Sequence, residues 1–177
     1  MLAAQTVFAC APADDRFGIH LDSLEARSTA AGVSVRARQE INLSHEAREA
    51  LRHGVPLRFR IDLALRSNHP GGQSGSENQS FDYEIRYLPL SDHYQLSALD
   101  TASTPRTYPR LRHVLAALRD IELQFSGTGG EAGPYLVRMR SQLDRSAMPG
   151  PMQIPMLLSA DWDLDSGWVE QEFTIGG

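Results

Sequence analysis

The residues best suited to chemistry lie near the C-terminal end: Asp161-Trp162-Asp163-Leu164-Asp165-Ser166-Gly167, with Glu172 eleven positions after Asp161. Hard cations such as calcium take several carboxylate oxygens at once, and Asp at loop positions one, three and five with Glu at twelve is the EF-hand arrangement. Ser166, however, stands where that loop requires glycine, and Gly167 comes one place late. A Pro-rich segment and a strand pattern flank the run where helices are required. Asp161, Asp163, Asp165 and Glu172 therefore stand as calcium candidates against a simpler expectation: an acidic turn that launches the last strand while Trp162 and Trp168 pack inward.

Other chemistries are narrowed by residue type. All 17 basic residues are arginine, so neither a Schiff-base lysine nor a P-loop lysine is available. Cys10 is the single cysteine, which excludes a disulfide framework or a multi-thiolate metal site within one chain. The histidines (His20, His45, His53, His69, His93, His113) form no HExxH and no closely spaced pair. Glu49 and His53, four apart on one helix face, suit either a metal or a surface pair. There is no G-x-S-x-G elbow, although a scattered Ser/His/Asp site stays open. Gly71-Gly72-Gln73-Ser74-Gly75 falls in a polar loop ill suited to a preorganised oxyanion hole. Gly127-Thr128-Gly129-Gly130 precedes a strand rather than a helix, unlike a phosphate loop. No catalytic residue and no cofactor follow from these motifs. What remains is cationic: Arg110, Arg112, His113 and Arg119 lie outside the apolar stripe of a short helix, either as a solvated face or as a docking surface for an acidic partner.

These side chains must be positioned by strands. Leu57, Phe59, Ile61, Leu63 and Leu65 alternate with Arg58, Arg60, Asp62, Ala64 and Arg66, and Phe81, Tyr83, Ile85 and Tyr87 alternate with Asp82, Glu84 and Arg86. A period of two predicts antiparallel sheet covered on one side, with the Arg-rich strand and the acidic one able to form cross-strand ion pairs. Further strands are expected at 33–37, 94–98, 121–125, 137–143 and 169–175, with an opening strand at 19–26. Inward positions are Val33, Val35, Ala37, Ile121, Leu123, Phe125, Val137, Met139, Val169, Phe173 and Ile175. Ser44 reads as an N-cap, with Glu46 in the first turn, Ala47, Ala50 and Leu51 on one face, and Gly54 as the stop. Leu111, Val114, Leu115 and Leu118 recur at helical spacing, with Pro109 suited to the first helical position. Residues 67–80 and 127–133 read as polar loops. Residues 148–155 are too rich in proline for regular structure and are expected to cross the core extended.

The expected class is α+β: a mainly antiparallel sheet, sandwich-like or curved, with two short helices packed on it. A length of 177 residues with 41% apolar side chains supports one domain over 16–177. A net charge of −5 argues against a general nucleic-acid binder. No window approaches the roughly 20 apolar residues of a membrane-spanning helix. Residues 1–15 read as the remnant of a secretory signal or as a frayed terminus, so the expected location is periplasmic if a signal lies upstream and cytoplasmic otherwise.

The elements also carry a resemblance. Leu43-Ser44-His45-Glu46-Ala47-Arg48-Glu49-Ala50-Leu51-Arg52-His53-Gly54-Val55-Pro56-Leu57 resembles the "LS…EAL..GVPL" element of the proteobacterial "domain of unknown function 4390" family. Tyr94-Gln95-Leu96-Ser97, the helix over 110–118, Leu143-Asp144-Arg145-Ser146 and the ending Ile154-Pro155…Leu158-Ser159-Ala160-Asp161-Trp162-Asp163-Leu164…Trp168 match in the same order. The resemblance implies an exported protein with an N-terminal signal, often encoded near a sensor histidine kinase, without an assigned activity. The chain departs from the family in its truncated or missing signal and in the polarity of residues 67–80, where relatives tend to be Trp-rich. Three functions are expected to compete: a non-enzymatic periplasmic interaction or accessory module with an envelope protein partner, a binder of a small apolar ligand or lipid, and a hydrolase.

Overall fold

The computed structural model describes residues 17–29, 32–68, 76–101, 103–125, 132–147 and 159–175. The expectations for residues 1–15, for the Pro-rich stretch 148–155 and for the two Gly-rich runs lie outside the described residues. In chain order the elements are β1 (Gly18–Thr29), β2 (Gly32–Asn42), α1 (His45–Arg52), β3 (Leu57–Ser67), β4 (Ser76–Leu88), β5 (His93–Ala98), β6 (Arg106–Tyr108), α2 (Leu111–Ala117), β7 (Asp120–Phe125), β8 (Gly133–Leu143) and β9 (Val169–Ile175). They build two antiparallel sheets, a small one of order β1-β2-β7 and a large one of order β6-β5-β4-β3-β8-β9. The molecule is a mainly antiparallel α+β structure with two short helices.

Strand β3 shows why the layers form. Its odd-numbered residues from Leu57 to Leu65 are all at most 2% exposed, so a single apolar face runs along the whole strand. The far half of that face (Ile61, Leu63, Leu65) packs with Val137 and Met139 of β8 against Val33, Val35, Leu123 and Phe125 of the small sheet. The near half (Leu57, Phe59) packs with Ile85, Tyr94 and Leu96 beneath Leu51 of α1, Val114 of α2 and Trp162. One half of the large sheet is thus covered by a second sheet and the other half by helices. Both layers shield the same face, because side chains alternate strictly along a strand.

The register confirms the predicted charge pairing: Arg58 stands opposite Glu84 and Arg60 opposite Asp82. Arg60 grips Asp82 through two hydrogen bonds, at 2.9 and 3.1 Å. Several elements differ in extent from the sequence expectation. β2 continues past Ala37, where Gln39 occupies an inward position and its Nε2 donates to the Leu118 carbonyl at 2.9 Å, while its Oε1 is buried without a hydrogen bond among the described residues. β1 carries a bulge between Leu21 and Ser23, so Leu21 and Leu24 are both buried although an even alternation would separate them. β4 starts at Ser76, inside the expected polar loop, because residues 76–80 pair with β3 in register. β6 has too few residues to show any period. Pro109 precedes rather than begins α2, whose N-cap is Arg110.

Candidate functional site

The cationic residues are placed by the run β6–α2–β7. Tyr108 pairs with Tyr94 and ends β6. The chain then turns, and Arg110 adopts extended backbone as the N-cap without a side-chain capping bond. Val114 and Leu118 are fully buried, while Leu111 and Leu115 pack on the same cluster at partial burial. At helical spacing this leaves Arg112, His113 and Arg119 exposed, with Arg110 exposed at the helix start. The end of the helix is tied to β2, since the Leu118 carbonyl accepts from Gln39 Nε2 and the Arg119 carbonyl accepts from the Gln39 N–H at 2.8 Å. A groove of about 250 Å³ separates the two elements, lined by β2 residues including Glu40 and by Arg112, Leu115, Ala116 and Arg119.

Charge sets this corner apart. Ten described arginines lie within 4.0 Å of a carboxylate. Among the described residues Arg106, Arg110, Arg112 and Arg119 have no such partner, and neither do Arg48 and Arg66. Arg106 instead lies over the Tyr108 ring, 5.8 Å from its centroid, and Arg112 Nε donates to His113 Nε2 at 3.3 Å. The nearby acids are engaged elsewhere: Asp120 accepts from Arg38 at 2.8 Å, and Glu40 accepts from Asn42. Four exposed guanidinium groups with no carboxylate partner among the described residues thus lie along the run 106–119 of a chain whose net charge is −5. Arg106 escapes sequence reasoning because β6 itself gives no periodic signal.

The acidic run takes up a different task. Asp165 faces Gln142 across an isolated bridge and binds Arg140 through both carboxylate oxygens. That hydrogen bonding, outweighing burial and helped by the Gly167 N–H, holds the Asp165 carboxyl below its ordinary range. Asp163 pairs with Arg145 at 3.6 Å, and Asp161 accepts from Ser159 Oγ at 2.7 Å. Glu172 lies opposite Leu136, six residues along β8 from Gln142. At roughly 3.3 Å per residue it is about 20 Å from Asp165. The four calcium candidates are not brought together, and among the described residues no group of three acidic, histidine or cysteine side chains converges on a metal position.

Trp162 is buried as expected, but Trp168 is 41% exposed. Gly167 adopts φ +65, and Trp168 then falls in step with the outward positions Glu170 and Glu172. Its ring lies under the Arg138 guanidinium, 4.9 Å away. The Glu49–His53 pairing does not form through side chains. Glu49 accepts from Arg52 at 3.4 Å, and the His53 ring contacts the Glu49 carbonyl oxygen.

Comparison with known families decides the identity. The model of the family described as a domain of unknown function, DUF4390, matches residues 17–172. The chain belongs to this family. Compared with curated proteins and with solved structures, it has no significant match. In this DUF4390 domain the apolar residues among those that carried the resemblance converge physically. Leu43, Leu51, Leu57, Tyr94, Leu96, Val114, Leu118, Leu143, Trp162 and Leu164 all belong to the single cluster under the helices.

Proposed function

We propose that this DUF4390 domain is an exported, periplasmic interaction module, without a catalytic role, that docks an acidic segment of an envelope protein. The extracytoplasmic region of a sensor kinase is the partner class that the family resemblance suggests. The observation that carries the proposal is the run Arg106, Arg110, Arg112, His113 and Arg119, exposed and without carboxylate partners among the described residues. Most of the described arginines outside it are neutralised in place. Such a patch steers and orients an acidic partner, with an association rate that falls as salt screens it. The described grooves at α2 and on the outward faces of the sheets are open and mix polar with apolar groups, which suits a surface contact with a protein better than enclosure of an apolar ligand.

The test is fluorescence anisotropy of a labelled glutamate-rich peptide against the whole chain. Binding is expected to weaken as salt rises and to fall at least about tenfold in the Arg112→Glu/Arg119→Glu double variant. Arg36→Glu/Arg38→Glu, on a patch already paired, should leave it unchanged. Equal losses in both variants, or none, would refute the α2 site, and binding to anionic vesicles but not to the peptide would refute a protein partner. Export is tested separately by osmotic-shock fractionation of the chain expressed from its native locus, and release with cytoplasmic markers would remove the periplasmic part of the proposal.

A further inference from the structure

The face of the large sheet turned away from both core clusters carries several paired charges, and Ala64 interrupts the long side chains along its central strand. Along the outward side of β3 the order is Arg58, Arg60, Asp62, Ala64 and Arg66. Ala64 is a methyl group in a row of long side chains. Its cross-strand partners are Asn78 on β4 and Arg138 on β8, and the partner of Arg138 on β9 is Glu170. A depression of about 490 Å³ lies over this position, with Trp168, Arg138, Asp62, Asn78, Ser80 and Arg66 around it. That volume is within the range of small-ligand sites.

The chemistry around the depression is mixed in a particular way. The floor and one wall are apolar, namely the Ala64 methyl and the indole of Trp168, which is braced by the Arg138 guanidinium. Arg138 is itself neutralised by Glu170 at 2.7 Å. The rim offers both senses of hydrogen bond. Asp62 is oriented by Ser80 Oγ at 2.7 Å and Gln142 Nε2 at 3.0 Å and keeps spare acceptor capacity. Asn78 accepts from Ser76 through its carbonyl oxygen, which leaves its amide N–H groups to donate. Arg66 has no carboxylate partner among the described residues. An anionic ligand would meet Asp62, and a wholly apolar one would bury Asp62 and Arg66 without partners, at a cost. A ligand with one apolar C–H face and a rim of hydroxyls, each both donor and acceptor, satisfies every group present.

We propose that this depression is a binding site for a neutral oligosaccharide, with one sugar ring packed on Trp168 above Ala64 and its hydroxyls bonded by Asp62, Asn78 and Arg66. The site is on the opposite face of the large sheet from α2, so it stands independently of the acidic-partner docking. The experiment is a titration of two-dimensional amide NMR spectra of the whole chain with cellotetraose, maltotetraose and chitotetraose, each to about 10 mM, well above the Kd of a millimolar binder. At least one is expected to shift the Trp168 indole N–H and the Asn78 signals saturably. Trp168→Ala, which removes the stacking wall, and Ala64→Trp, which fills the floor from an outward position, should each weaken that binding at least about tenfold. Thermal melts of both variants check that the fold is retained. Absence of saturable shifts at these residues with all three sugars, or binding that survives both substitutions, would overturn the site.

Discussion

Asp165 ties the turn after the short helical segment Ala160–Trp162 to β8 through Arg140, and the bonding that depresses its carboxyl makes that tie depend on pH. A carboxyl whose folded value lies below its ordinary 3.8 adds stability above the unfolded value, and this stability is lost as pH falls through the folded value. Asp165→Asn is therefore expected to cost about 1 kcal/mol at neutral pH, as a partly shielded bidentate pair should. The difference from the unsubstituted chain should vanish well below pH about 3.8, and urea unfolding of the two proteins at both extremes measures it. Asp144 follows the same sign: burial pushes its carboxyl up, but the hydrogen bonds from Ser146 and the charge of Arg60 outweigh it. Gly32 is a second constrained residue. It adopts φ +126, and a β-carbon there would sit 2.4 Å from the Phe125 carbonyl oxygen. Gly32→Ala is expected to cost about 2 kcal/mol or more, read as a fall in the denaturation midpoint. The run of aspartates was visible in the sequence, but the arginine that takes Asp165 is 25 positions earlier and nothing local marks it.

Helix α1 is the element most legible from its own residues. Ser44 Oγ accepts the Ala47 N–H at 3.1 Å. At the other end the Val55 N–H donates to the Ala50 carbonyl and the Gly54 N–H to the Leu51 carbonyl, around Gly54 at φ +87. This is the Schellman termination that a glycine stop predicts. Ser44→Ala should cost about 1 kcal/mol in chemical denaturation, because Ser44 is buried and its lost bond leaves an orphan donor. Helix α2 was legible in its apolar stripe but not in its start. Arg110 takes the N-cap because β6 holds the preceding residues extended, which moves Pro109 outside the helix. β4 shows the same priority, since residues 76–80 read as loop by composition yet pair with β3. Backbone hydrogen bonding to an adjacent strand outweighs weak local preference, which is why strand extents depend on partners.

At the scale of the molecule, β3 lends apolar residues to both clusters, Leu57 and Phe59 to one and Ile61, Leu63 and Leu65 to the other. Loss of either cluster exposes half of the same strand, so a single cooperative unfolding transition is expected. Near-ultraviolet and far-ultraviolet circular dichroism should give coincident urea curves, and Leu63→Ala should shift both by about 2–5 kcal/mol without splitting them. Separate transitions for the two signals would show that the halves unfold independently. The sequence by itself determined the strand faces, the caps of α1 and the cross-strand charge pairs, because each is set by spacing along the chain or between adjacent strands, and its motifs carried the resemblance to the family. Only the tertiary structure decided that the apolar family residues gather in one cluster under the helices. It also decided that the aspartates part company, and that Trp168 turns outward beside an outward alanine. These depend on which distant segments are packed together, and a period of two or of 3.6 carries no information about that.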